Sequence, residues 1–190
     1  MPGVVYNMQP QPPVEENTRW FDAGAVTIGV EYREVDPASL VETYKDSPED
    51  MAELEEKSPE GGFSDEGVSL HVRGTDDGHE YVRFDVFDAE PHYHYVRPTG
   101  DHNNVVPFDP VADGEMLPWA LDRLRTRLGD MLAEAGGSAL VPRLDPALLG
   151  KVVDEVGALA EQAQRNQRAA RPGCLTPLTP RGGRAPSRSC

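Results

Sequence analysis

Residues 67–96 read GVSLHVRGTDDGHEYVRFDVFDAEPHYHYV, and the fold turns on how this stretch alternates. Val68, Leu70 and Val72 alternate with Ser69, His71 and Arg73, and Val82, Phe84 and Val86 alternate with Tyr81, Arg83, Asp85 and Phe87. A period of two marks strands with one face buried. Setting both aliphatic series on one face pairs residue 72 with 82, 70 with 84 and 68 with 86. Asp76-Asp77-Gly78 then closes a hairpin, with glycine at the left-handed last position that such a loop requires. A second turn at Asp88-Ala89-Glu90-Pro91 leads into His92-Tyr93-His94-Tyr95-Val96. With a two-residue loop, Tyr93 faces Val86, Tyr95 faces Phe84 and His94 lies opposite Asp85. A slip by one residue would bury two imidazoles where two tyrosines fit at lower cost. Ser69, His71, Arg83, Asp85, His92 and His94 are therefore expected on one polar face of a meander.

The flanking sequence extends this sheet. AVTIGVEYREV at 25–35 alternates too, with Val26, Ile28, Val30 and Tyr32 on one side and Thr27, Gly29, Glu31 and Arg33 on the other. VVPFD from Val105 supplies a further strand, with Pro107 at an edge or strand end. The period then changes. Leu117, Leu121, Leu124, Leu128, Met131, Leu132 and Ala135 follow three-to-four spacing up to Gly136-Gly137, which predicts one long helix over the aliphatic face. After Asp145-Pro146 a second stripe, Leu148, Leu149, Val152, Val153, Val156, Leu159 and Ala163, predicts a C-terminal helix that packs on the domain or on a second copy of the chain. The expected fold is thus α+β: an antiparallel meander of four or five strands packed on a long amphipathic helix, with a C-terminal helix appended.

Segment boundaries follow from composition. Residues 1–19 read as a flexible, Pro-rich arm and 20–137 as the α+β domain. Residues 138–169 form a linker and the C-terminal helix, and 170–190 an Arg/Pro-rich disordered tail. Within the domain, Asp36-Pro37 and Ser47-Pro48 each provide a helix N-cap followed by a proline in the first turn, so residues 36–60 form an acidic helical insert. Thirteen acids against three bases across 31–66 mark it as a solvated connecting segment.

The chain has 190 residues and a formal charge of −15, which disfavours a body that binds nucleic acid. Residues 1–161 carry −21, offset by the six arginines from Arg165 to Arg188, so any nucleic-acid contact is expected only through this tail. No run is long and apolar enough to span a bilayer, and the N-terminus lacks a basic start followed by an apolar stretch, so a cytoplasmic protein without a membrane partner is expected. The two cysteines, Cys174 and Cys190, both lie in the tail and build no disulfide framework.

Three readings of the polar face compete. Positions i and i+2 of a strand point the same way, so His92 and His94 could ligate a zinc, iron or manganese ion, with Asp85 or His71 as a third donor. A metal-free site would use His94 as general base oriented by Asp85, with Arg83 binding an anionic group. No catalytic or cofactor signature is complete, however: His-x-His occurs often, and Ser69 beside His71 is no triad. The leading expectation is a small non-enzymatic module that binds an unknown protein or small ligand through this face, with the residue 145–165 helix as a homodimer contact. A metal-dependent enzyme with a His/His/Asp site is the alternative.

FDVFDAEPHYHY at 84–95 and the Trp119-Ala-Leu-Asp-Arg-Leu-Arg125 helix resemble an uncharacterised bacterial domain family over residues 20–137. The resemblance implies a domain boundary and no activity.

Overall fold

Each alternating segment becomes a strand in the computed structural model, which describes residues 3–60, 62–99 and 102–170. The strands are β1 (Val4–Tyr6), β2 (Arg19–Asp22), β3 (Val26–Val35), β4 (Asp65–Gly74), β5 (Glu80–Phe87), β6 (His92–Val96) and β7 (Asn103–Pro107). They form one antiparallel sheet of order β1-β7-β6-β5-β4-β3-β2. The α+β class stands, with seven strands where four or five were expected. The two extra strands are the short edge pieces β1 and β2, of three and four residues. Strands this short carry too little alternation to be read alone, and they exist because β7 and β3 present edges to them.

The β4–β5 register matches the expectation, with Val72 opposite Val82, Leu70 opposite Phe84 and Val68 opposite Val86. Beyond Val72 the register shifts, and Arg73 pairs with Glu80. The turn accordingly comprises Thr75–Gly78 instead of the three residues expected, closed by the Gly74 N–H donating to His79 O, and Gly78 takes φ +66°. The shift is a β-bulge, which inserts an extra residue and re-aims its neighbours. Tyr81 joins the aliphatic core and Glu80 turns to the polar face.

The β5–β6 register departs by two residues. Asp85 pairs with His92, Arg83 with His94, Phe84 with Tyr93 and Val82 with Tyr95. Pro91 has no N–H for a ladder bond, and the Asp65 carboxylate captures the N–H groups of Ala89 and Glu90, which holds the turn open before His92. A shift of two preserves the faces, so tyrosines and imidazoles keep their expected sides.

After α1 (Pro37–Tyr44), α2 (Pro48–Lys57) and the single turn α3 (Pro110–Asp113), helices α4 (Met116–Thr126), α5 (Leu128–Glu134) and α6 (Pro146–Ala170) cover the aliphatic face. The single long helix expected over 117–135 is two, broken at Arg127, whose φ of −130° and ψ of 2° leave the helical region. Thr126 Oγ1 donates back to Asp122 O, a bond that bends helices. Leu124, Leu128 and Leu132 stay fully buried on both sides of the break. The stripe of α6 is spent within the chain: Leu149, Val152, Val153, Val156 and Ala160 are buried against the sheet and α4. A Cβ on Gly157 would stand 3.0 Å from Leu121 Cδ1, which shows how closely α4 and α6 cross. Most of the stripe expected as a homodimer contact thus packs within the chain, with Leu148 left exposed.

The other face is covered as well. From β1 at one edge the chain must reach β2 at the other, across six inter-strand spacings of about 4.8 Å, or about 29 Å. The residues between Tyr6 and Arg19 can span about 40 Å only if nearly extended, and Pro10, Pro12 and Pro13 favour that state. The segment expected as a flexible arm is thus a strap lying over the polar face, extended apart from a 3-10 turn at Glu15–Asn17. Arg33 donates to Gln11 O, Gln11 Oε1 and Pro12 O, and the Val14 N–H donates to Glu31. The acidic insert forms α1 (Pro37–Tyr44) and α2 (Pro48–Lys57), capped by Asp36 and Ser47 as expected. It also holds the strap, because Glu53 accepts from the Asn7 and Met8 N–H groups and Tyr44 donates to Gln9 O. The tail from residue 171, with Cys174 and Cys190, lies outside the described residues.

Candidate metal centre

Asp85 on β5 and His92 and His94 on β6 point from the polar face into a cavity of about 650 Å³ between the sheet, the strap and the two acidic helices. That volume suits a small molecule. One ring nitrogen of each histidine and one oxygen of Asp85 all lie within 4.8 Å of one another, the one such grouping of three or more potential donors among the described residues. His94 Nε2 stands 2.9 Å and His92 Nε2 3.3 Å from the same oxygen, Asp85 Oδ2. Two donors bound to one ion at about 2.1 Å, at angles between octahedral and tetrahedral, lie about 3.0–3.4 Å apart, so these separations fit a shared cation.

The remaining nitrogens decide which atoms face the centre. His92 Nδ1 lies 2.7 Å from the Glu90 carbonyl oxygen, which can only accept, so Nδ1 carries the proton. His94 Nδ1 likewise donates to Asn103 Oδ1, at 2.7 Å. Each neutral ring therefore turns an Nε2 lone pair toward Asp85, and either a second proton or a metal ion must lie between. Ligating histidines are commonly oriented by such outer hydrogen bonds. Asp85 is itself fixed by Ser69, whose Oγ donates to Oδ1 from 2.5 Å.

Burial pushes the Asp85 carboxyl up, but the bonds that His92 and His94 donate to it when Nε2 carries a proton, with the Arg83 charge, outweigh this and hold it well below the usual carboxylate range. Burial also draws both imidazoles down. For His94 it wins, so a second proton on this ring is disfavoured; for His92 the Asp85 hydrogen bond and charge prevail and its pKa is raised.

The other expected site residues separate from this centre. His71 is fully buried on β4, with Nδ1 2.6 Å from Glu80 and Nε2 3.2 Å from Glu31, and the Trp20 ring covers it. Both nitrogens are occupied by carboxylates, so His71 leaves the list of metal donors. Arg83 does lie at the cavity, with Nε and Nη2 both donating to Glu80. The charge of Glu80, helped by Asp85, raises the Arg83 pKa against the pull of burial. Ser69 is fully buried behind Asp85 and offers no nucleophile. A metal-free general base fits poorly, because each ring nitrogen of His92 and His94 already has a partner within the chain.

Asn103, Glu80, Glu31 and Arg33 were missed as parts of this face. The alternation of β3 placed Glu31 and Arg33 on the correct side, and only the bulge brought Glu80 round. Asn103 belongs to a strand whose start was read two residues late.

No helix among the described residues is long and apolar enough to cross a membrane. No curated protein and no solved structure matches the chain. A family model described as a domain of unknown function matches residues 20–160, running past residue 137 to take in much of α6, which the resemblance had left outside. The match spans the candidate ligands, the aliphatic core and most of the covering helices, and the chain belongs to that family, DUF7700.

Proposed function

We propose that the protein is a metal-dependent enzyme acting on a small molecule, with a divalent transition metal held by Asp85, His92 and His94 on the cavity floor. The observation that carries this reading is the fixed direction of the two imidazoles: acceptors at both Nδ1 atoms aim both Nε2 lone pairs at one carboxylate oxygen. Two imidazoles and a carboxylate suit zinc, iron(II) or manganese(II). Three protein donors leave coordination positions for water and a bound ligand, where a metal supplies Lewis-acid chemistry. The strap and the acidic helices cover the polar face, which favours a small molecule in the cavity over a macromolecule docked on an open sheet.

Elemental analysis of freshly purified protein should find close to one zinc, iron or manganese per chain, and H92A, H94A and D85N should each lose it. Protein stripped of metal that then takes up no divalent ion would remove the reading. Cobalt(II) substitution separates a catalytic from a structural ion. Azide should shift the visible d–d bands if a position is exchangeable, and unchanged bands would reduce the metal to a structural role.

A further inference from the structure

The cavity floor carries a second polar group whose bonding is incomplete. Arg83 is 3% exposed, and its Nε and Nη2 are held by Glu80. Its Nη1 makes no hydrogen bond to any described residue and is not a fully enclosed atom, and Arg83 is part of the cavity lining. The other buried guanidinium there, Arg33, is occupied by Gln11 and Pro12 of the strap. Arg83 also pairs with His94 across β5 and β6, lines the same cavity as the three candidate ligands, and its charge acts on all three.

Charge and wall chemistry narrow the ligand further. Arg83 is a buried guanidinium, and a hydrogen bond donated by a cation is stronger to an anionic oxygen than to a neutral one, so the group bound at its free edge is anionic. The cavity is also lined by Met8, Val35, Leu40 and Leu54, and by Phe63 and Phe87 beside His92, side chains that suit an apolar body.

We infer that the cavity binds a small monocarboxylic acid with an apolar body, its carboxylate held between the metal and Arg83 Nη1 and its hydrocarbon part against the Met8, Leu40, Leu54 and Phe63 wall. The inference rests on the proposed metal centre and identifies the ligand class that this centre takes. A planar carboxylate matches a guanidinium edge, and a metal with exchangeable positions accepts the second oxygen.

The test uses full-length, cobalt-loaded protein with hexanoate as probe and hexanamide as its neutral counterpart, followed by calorimetry and by the d–d bands. Hexanoate should bind about tenfold or more tightly than hexanamide and shift the bands, as expected for a charge-assisted contact of about 1.4 kcal/mol or more. R83Q should remove most of that preference while cobalt still loads, and R83K should restore part of it. Equal affinity for the two probes, no binding of hexanoate, or equal hexanoate binding with and without cobalt would each overturn the inference. The wild-type comparison stands even if R83Q fails to fold. Failure of cobalt to load at all would sink the metal reading, whereas full loading with no preference for the acid sinks the ligand class alone.

Discussion

Asn103→Leu gives the sharpest test of how the histidines are aimed. Asn103 Oδ1 accepts from His94 Nδ1 at 2.7 Å, and Asn103 is only 4% exposed, so water does not readily replace the lost acceptor. Leucine is close in size and cannot accept a hydrogen bond. Neutral His94 then gains by moving its proton to Nε2, where it donates to Asp85 Oδ2 from 2.9 Å. That is the nitrogen a metal needs, so the ion must displace a proton as well as bind. Losing an outer-shell partner of this kind weakens metal affinity by about 10–100-fold, or about 1.4–2.7 kcal/mol. His92 is unaffected, because its partner is the backbone carbonyl of Glu90. Competition against a chromophoric zinc chelator should therefore rank wild type above N103L and N103L above H94A. Wild-type affinity in N103L, or affinity as poor as that of H94A, would refute the argument.

Other consequences follow from the same packing. Burial raises the Glu80 carboxyl, but the Arg83 and His71 charges outweigh it and leave its pKa depressed in the folded state. Its contribution to stability is thus complete above the unfolded carboxylate value of about 4.3 and is lost as pH falls below that toward the folded value. Urea midpoints across pH 7 to 3 should show E80Q less stable than wild type at neutral pH and shallower in its acid limb; parallel curves would contradict the pairing. Gly29 lies beneath Trp20, where an added Cβ would stand 2.7 Å from the ring, so G29A should cost about 1–3 kcal/mol and alter Trp20 fluorescence. An unchanged midpoint would mean that Trp20 does not lie there. Truncation after residue 144 removes Leu149, Val152, Val153 and Val156 from the core. Calorimetry should find no cooperative transition in the shortened chain, and a native-like melt would show that α6 is dispensable.

Much of the candidate site was legible from alternation, because a period of two assigns each side chain to a face independently of its partner strand. Asp85, His92 and His94 were placed together on the polar side, and they remain so even though the β5–β6 register is two residues from the expected one. The Arg73–Glu80 bulge was not legible. A single inserted residue leaves no mark in composition, yet it determines whether Glu80 faces solvent or binds His71 and Arg83. The direction of the imidazoles also escaped, since Nδ1 is set by a carbonyl two residues away for His92 and by an amide on another strand for His94.

Taken alone, the amino-acid order determined the α+β class, the two faces of the central strands, the capped starts of α1 and α2 and the apolar stripe of α6, all of which depend on local periodicity or on bonds within a few residues. Tertiary structure decided the rest. Only the placement of β1 at the far edge turns a Pro-rich arm into a strap, because the next strand lies about 29 Å away across the sheet. Only that strap, with the acidic helices it binds, converts a polar sheet face into a cavity. Closure of this kind depends on contacts 20 to 90 residues apart, such as Arg33 with Gln11 and Gln9 with Arg97, for which no short window of sequence carries a signal.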